Sequence, residues 1–421
     1  MRKSLRGAAD LGVRQAWLWK HRGHHRDPAG GSLTRLLVDV SAIIRHDAQT
    51  GIQRVVRAVW SELSQRNGQG FEVQPVFATN AHGYCYAPTR FLEHDVSATT
   101  RAVVRVRPGD KFLGLDLSAH LLPKYREQLR AWRHHGATIH LVVYDLLPLV
   151  RPEWFTPSSA NNFRKWVEIL TEDADQAICI SDHVAHELRG YLARTAADRS
   201  IAIGRLRMGA DISGSIPSSG LSPEVRQVLD QLRFRRAILM VGTVEPRKGY
   251  DAALDAFDHL WRTEQGAPDL VLVGKGGWKT AELQQRIRMH PQSGRRLHWF
   301  DRVSDEGLCQ LYEACRGVLI ASRGEGFGLP LVEAAMHRRH VLARDLPVFR
   351  ERDLPNVLYF SSDEPRALGG RLMDLLKAAD SRPGPPMELA TWKDCVAGLL
   401  GEIGLPLPQQ RDAGFPLRKA S

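Results

Sequence analysis

After residue 30 the chain alternates short apolar runs, rich in Val, Ile and Leu, with longer stretches whose apolar positions recur every three to four residues. Runs of the first kind predict strands and stretches of the second kind predict amphipathic helices. In the first half, strands are expected over 36–40, 73–77, 111–115, 140–144, 177–180 and 205–208, with helices over 52–63, 124–134 and 182–193. Residues 212–224, rich in Ser, Pro and Gly, read as a linker or boundary loop. A second series follows, with strands over 237–241, 270–273, 297–300, 318–321 and 341–343 and helices over 251–262 and 305–314. A loop over 381–387 leads to one last helix over 389–403.

This rhythm predicts βαβ units and mostly parallel sheets covered on both faces. Two such series predict two doubly wound, Rossmann-like α/β domains, as does a length of 421 residues, which exceeds one ordinary core. The expected division is a basic tail over 1–30, one domain over 31–215, a second over 216–385, and a final helix and tail over 386–421. Ligands of such sheets gather at the carboxyl ends of the strands, so chemistry is sought in the loops that follow them.

A hydrophobic content of 43% with 25% charged residues is that of a soluble globular protein. No uncharged apolar run reaches the roughly 18 residues of a membrane span. The first residues lack both the apolar core and the small-residue cleavage site of a secretory signal, so a cytoplasmic chain is expected. The five cysteines are scattered and form no close pair, which suggests neither disulfides nor a zinc site. The net charge of +11 owes part of its excess to Arg2, Lys3, Arg6, Arg14, Lys20, Arg22 and Arg26, with Leu11, Val13, Trp17, Leu18 and Trp19 between them. Such a segment suits the anionic inner face of a membrane, and a solvated tail is an equally open reading. No zinc-finger spacing or RRM motif accompanies the charge, so no nucleic-acid partner is expected.

Two clusters carry candidate chemistry, each directly after a predicted strand. In Val241-Gly242-Thr243-Val244-Glu245-Pro246-Arg247-Lys248-Gly249, two cations precede a helix N-terminus, an arrangement suited to a diphosphate and equally to a solvated basic turn. In Ser322-Arg323-Gly324-Glu325-Gly326-Phe327-Gly328-Leu329-Pro330-Leu331-Val332-Glu333, three glycines let the backbone approach a ligand and Pro330 opens a helix. Glu325 falls in that loop and Glu333 about one turn into the helix, where a carboxylate can accept both hydroxyls of a vicinal diol. Gly274–Thr280 lacks the spacing of a phosphate-binding P-loop, and no GxGxxG, HExxH or GxSxG occurs.

The second cluster resembles the signature of the retaining family-four glycosyltransferases, in which seven residues separate two glutamates, as in EGFGLPLVE. VGTVEPRKG is similar to the family's diphosphate turn, LVGKGGW to its next strand-end loop, and TWKDCVAGLL to its last helix. VSDEGLCQLYEAC and DLPVFRE match as well. In the first half, LLVDVSAIIRHDAQTGIQRVVRAVW, VVYDLLPLVRPEWF, ICISDHV and RMGAD resemble landmarks of a subgroup that includes mannosyltransferases of polysaccharide and O-antigen assembly. The likeness covers about residues 35–402.

The resemblance implies the GT-B fold, two Rossmann-like domains facing a cleft. It implies transfer of a hexose, mannose favoured, from a nucleotide diphosphate sugar such as GDP-mannose to a glycan or lipid-linked glycan, with no metal. Lys248 and Arg247 would neutralise the leaving diphosphate, and Glu325 with the amides around Phe327, Gly328 and Leu329 would hold the sugar. Glu333 would bind the ribose, Gly242, Thr243 and Gly326 would line the donor, and Gly51, in a loop before the 52–63 helix, would approach the phosphates. Asp145 is the candidate contact to sugar or acceptor. Many relatives carry Arg at Thr243, His at Tyr144, and a small turn in place of His337-Arg338-Arg339-His340. That basic run suits either an anionic acceptor or a solvated helix end. A sugar-nucleotide epimerase of the same fold and a basic nucleic-acid-binding protein are the rival expectations.

Overall fold

The computed structural model describes residues 33–47, 50–79, 81–93, 102–195, 200–215 and 217–406. The basic segment 1–30, and with it the expected membrane-surface contact, lies outside these residues. Thirteen strands form two sheets among the described residues. The first sheet holds β1 (Thr34–Asp39), β2 (Phe71–Thr79), β3 (Gly83–Tyr86), β4 (Lys111–Gly114), β5 (Thr138–Val143), β6 (Gln176–Cys179) and β7 (Ala202–Arg205). Their order is β3-β2-β1-β4-β5-β6-β7, parallel except for the edge strand β3. The second sheet holds β8 (Ala237–Val241), β9 (Asp269–Val273), β10 (Leu297–Phe300), β11 (Gly317–Ile320), β12 (His340–Arg344) and β13 (Val357–Phe360). It runs β10-β9-β8-β11-β12-β13, parallel throughout.

Central strands such as β5, β6, β9 and β11 are buried on both faces, which is why they read as continuous apolar runs rather than alternations. The helices between them begin where side chains cap free amides. Thr50 and Gln53 form a capping box at Gly51–Ser64, and Ser304 accepts from Gly307 N at 3.0 Å at Asp305–Ala314. The last helix, Trp392–Glu402, buries Trp392, Cys395, Val396, Leu399 and Leu400 in the core of the first sheet, so the chain returns to that half. Trp392 is fastened by its indole N–H, which donates to the Asp211 carbonyl at 2.8 Å.

Strand order reverses between β1 and β4 in the first sheet and between β8 and β11 in the second. In doubly wound sheets the crevice for a ligand opens at such a switch point. The loops after β8 and β11 are the two clusters singled out in the sequence.

Several elements differ from the sequence reading. The antiparallel β3, the strand β13 and the helices Pro157–Glu172 and Pro365–Ser381 were not expected. The helix Pro223–Leu232 begins inside the expected linker, with Ser222 as its cap. β7 spans Ala202–Arg205 rather than 205–208, because pairing with β6 stops at Cys179 and Arg205. Among the described residues no helix is long and apolar enough to cross a membrane.

Candidate functional site

The turn after β8 is built for close approach. Gly242 has φ 142°, and a Cβ on Gly274, at the end of β9, would lie 2.0 Å from the Gly242 carbonyl oxygen. The chain then makes one tight turn over Pro246–Lys248 and enters the helix Tyr250–Thr263 through Gly249, at φ 68°. A side chain at Gly249 would strike the Ala321 carbonyl at 2.3 Å, so this glycine lets the β8 loop lie against the end of β11.

That apposition brings the two sequence clusters together. Lys248 Nζ lies 2.5 Å from Glu325 Oε1. Arg247 donates to Glu325 Oε2 at 3.0 Å and to the Gly324 carbonyl at 3.1 Å, and pairs with Glu245 at 2.8 Å. Ser322 Oγ donates to Glu325 Oε1 at 2.7 Å. Burial raises the Glu325 pKa, but Lys248 and Arg247 outweigh it and hold the carboxyl down at about 2. The same carboxylates keep Arg247 firmly protonated against its own desolvation. Arg247 Nε is buried and meets no acceptor, although its neighbouring nitrogens are engaged. One buried donor of the cluster, with Lys248 beside it, is thus available to a further acceptor.

Glu333 lies one turn into the helix Leu329–Met336 and is 3% exposed. Tyr312 donates its hydroxyl to Glu333 Oε2 at 2.8 Å, and Arg54 makes a short ion pair with Oε1. Arg54 belongs to the helix Gly51–Ser64 of the first half, and it also reaches Asp305 at 2.9 Å. His337 stacks on the Tyr312 ring at 5.1 Å. Its neighbours Arg338 and His340 bond the Gly384 and Arg382 carbonyls at 3.0 Å each. The 337–340 basic run is thus tied to the 382–384 segment of the second half, with Arg338 still exposed.

The first half meets the glycine loop closely. A Cβ on Gly326 would fall 1.8 Å from the Tyr144 carbonyl oxygen, and Ser181 Oγ donates to the Gly326 carbonyl at 2.7 Å. Phe327 and Leu329 pack against the core of the first sheet, and the Arg352 guanidinium covers the Phe327 ring at 3.8 Å. Gly328, at φ 82°, caps the helix and sits against Phe349. Asp145 follows β5 and accepts from Leu147 N at 3.1 Å. Burial raises its carboxyl pKa, and the charge of Arg247 acts against that rise. The Tyr144 hydroxyl is engaged within the first half, donating to the Leu115 carbonyl at 2.7 Å.

One position is corrected. Gly51 is the first residue of the helix Gly51–Ser64, not part of a loop before it, because Thr50 supplies the cap. It stays exposed, and a Cβ there would meet Leu329 Cδ1 at an ordinary 3.5 Å. Thr243 lies at the same turn as Gly242, with its methyl in the way of any side chain on Gly277. The Gly274–Thr280 loop follows β9 and reaches across to the first half. Its Trp278 indole donates to the Trp154 carbonyl at 2.8 Å and Lys279 to the Glu153 carbonyl, both across to the first half.

Sequence reasoning missed three contributors. Arg54 had only its place in the TGIQRVV segment to announce it. Tyr312 sits at an inward position of its helix, where an aromatic reads as core. Arg323 braces the β8 turn, donating to Asp251 at 2.9 Å and to the Pro246 carbonyl at 3.3 Å.

Comparison with known proteins bears on the fold and the family. The chain is 36% identical over 383 residues, 89% of its length, to the serotype-specific mannosyltransferase WbdA of Escherichia coli. It spans about half of that relative, 47% of its length. It is 29% identical over 210 residues to the O-antigen chain mannosyltransferase B of Escherichia coli, covering 48% of this chain and 54% of that one. Among solved structures, the Anabaena protein HepE in complex with UDP-glucose superposes with a TM-score of 0.58 at 16% identity, over 87% of this chain and 94% of that one. Sucrose-phosphate synthase from Thermosynechococcus elongatus gives 0.57 at 16% identity, over 88% and 94%. The fold is GT-B, as the sequence led us to expect. The family model described as glycosyl transferases group 1 matches residues 235–378, which hold Arg247, Lys248, Glu325 and Glu333. Residues 235–378 thus carry a glycosyl transferases group 1 domain.

Proposed function

We propose that the protein is a retaining hexosyltransferase that moves mannose from GDP-mannose to a glycan or lipid-linked glycan in cell-surface polysaccharide synthesis. The observation that carries the transfer chemistry is the Arg247–Lys248–Glu325 cluster at the switch point, with one buried guanidinium donor open. Preference for mannose rests on the extended similarity to WbdA.

In this reading the diphosphate lies at the turn after β8. Breaking its bond to the anomeric carbon builds negative charge on the departing phosphate, which Arg247 and Lys248 face as fixed cations. Their present partner, Glu325, turns to the transferred sugar as the diphosphate replaces it. The N-terminal amides of the helix Leu329–Met336 add donors to the same region. Glu333 accepts the ribose hydroxyls. The departing phosphate oxygen takes the acceptor hydroxyl proton, and transfer on that same face retains the anomeric configuration. The open helix start at Gly51 leaves space for phosphate oxygens from the facing half. Asp145, beside Arg247 at the cleft, contacts sugar or acceptor.

Thermal shifts with GDP, UDP, dTDP and ADP test the donor site first. Selective stabilisation by GDP that disappears in Lys248→Ala and Glu333→Ala is expected, followed by mannose transfer to an oligomannose acceptor. Product formed from the donor alone, without acceptor, would support the epimerase instead. Salt-sensitive polynucleotide binding indifferent to diphosphates would support the nucleic-acid reading.

A further inference from the structure

The contact between Arg54 and Glu333 joins residues 279 positions apart and crosses from one half of the molecule to the other. Glu333 is 3% exposed at its side chain and Arg54 18%, so the pair is largely shielded from water. Both oxygens of the Glu333 carboxylate are occupied, Oε1 by Arg54 and Oε2 by Tyr312. The two partners differ in kind. Tyr312 is fully buried, belongs to the same half as Glu333 and is held under the His337 ring. Arg54 approaches from the facing half on a helix whose first residue is exposed to the cleft.

A ribose offers two adjacent hydroxyl donors, and the Glu333 carboxylate has lone pairs to take them. With Arg54 on Oε1, however, its side chain is only 3% exposed, so a ribose reaches it by displacing Arg54. The ligand and Arg54 therefore compete for one acceptor. Arg54 has a second anchor, Asp305 at 2.9 Å, whose other oxygen accepts from Ser218 N and Oγ at 2.9 Å each. A guanidinium that leaves Glu333 thus keeps a counter-charge and stays at the interface.

We propose that Arg54 is the positioning residue that holds the two halves together in the empty protein by standing on Glu333 in place of the ribose, and that nucleotide binding displaces it. The inference rests on the reading of Glu333 as the ribose acceptor. It makes closure of the cleft and occupancy of the nucleotide site two states of a single carboxylate. A nucleotide must offset the lost ion pair, and removing Arg54 removes that competition.

The test compares wild type, Arg54→Ala and Asp305→Asn. Calorimetry measures dissociation constants for the tightest-binding of GDP, UDP, dTDP and ADP, and for inorganic pyrophosphate, which has no ribose. Small-angle scattering measures the radius of gyration of each empty protein. Arg54→Ala is expected to bind the nucleoside diphosphate about five- to tenfold more tightly, the lower range of couplings of this kind. Asp305→Asn removes the counter-charge that a displaced Arg54 keeps, so it should weaken nucleotide binding, and it carries the test if Arg54→Ala folds poorly. Pyrophosphate affinity should be unchanged in both, whereas a general loosening of the fold would move both ligands together. The radius of gyration of the empty Arg54→Ala protein should exceed that of wild type. A wild type that binds one nucleotide, with an Arg54→Ala protein that binds it no better and stays as compact, or an Asp305→Asn protein that binds it as well as wild type, overturns the latch and leaves the donor site standing. A wild type that binds none of the four overturns the donor reading, and the ribose competition with it.

Discussion

At the scale of single residues, the site is a set of charges that satisfy one another. Glu325 lies between Lys248 and Arg247, and Arg247 also holds Glu245. Removing the central charge leaves two shielded cations facing each other, a loss of the kind that costs about 3–5 kcal/mol when a buried pair is broken from one side. Glu325→Gln should therefore lower the melting temperature of the empty protein, recover it when a nucleoside diphosphate is added, and abolish sugar transfer. The pH dependence has a definite sign. A carboxyl whose pKa falls to about 2 on folding contributes stability that is complete above its unfolded value and is lost only as pH drops toward 2. Between pH 5 and 9 Glu325 stays ionised, so nucleotide binding measured across that window should show no acid limb that Glu325→Gln removes.

At the scale of elements, the loop after β1 is set by a buried polar network. Asp39, wholly buried, accepts from Ser41 N, Tyr84 OH and Ser118 Oγ, each at 2.9 Å. Asp116 Oδ2 accepts from Ala42 N at 2.8 Å and Ile43 N at 2.7 Å, fixing the chain on its way to the helix Gly51–Ser64. Burial, helped by the neighbouring Asp39, pushes the Asp116 carboxyl up to about 7. A carboxyl raised in this way favours the folded state at low pH and loses that contribution as pH rises through 7. Asp116→Asn keeps an acceptor oxygen without the charge. Its stability relative to wild type should improve by about 1 kcal/mol or more from pH 5 to pH 8, since a tenfold change in a protonation equilibrium corresponds to about 1.4 kcal/mol. Denaturant melts at the two pH values would show it.

This network also marks the limit of what the sequence discloses about elements. The central strands were legible because parallel strands buried on both faces are unbroken apolar runs, as in Ala237–Val241. The β3 strand, with only four residues at an edge, has too short a pattern to stand out. The helix Pro157–Glu172 opens on Ser, Ala and Asn, which hide the spacing of Phe163, Trp166, Val167 and Leu170. The glycine loop and its two glutamates were legible as chemistry because three glycines in five residues have no use in a solvated turn. Arg54 was not, since its partners lie 251 and 279 positions away and only the fold brings them near.

At the scale of the whole molecule, the two sheets meet where backbone touches backbone. Gly326 lies so close to the Tyr144 carbonyl that a single added methyl would occupy the space of that oxygen. Gly326→Ala should leave each core intact, because neither sheet depends on that position. The halves, however, would have to part to admit it. The expected outcome is unchanged far-ultraviolet circular dichroism and a melting temperature within a few degrees of wild type, with a larger radius of gyration and transfer reduced by about 100-fold, the order expected for a misplacement near 1 Å. An unaffected rate would show that this approach is not needed in the reacting state.

The pairing of Arg247 and Lys248 with Glu325 and Glu245 also bears on how a ligand arrives. Two positive and two negative side chains, with Asp145 beside them, leave little positive field to reach into solvent. An anionic donor then finds the site by ordinary diffusion and exchanges places with a carboxylate on arrival, instead of being drawn in from a distance. Its association rate should change little between low and physiological salt in stopped-flow measurements, because what the site offers is a vacated partner and not an attractive potential.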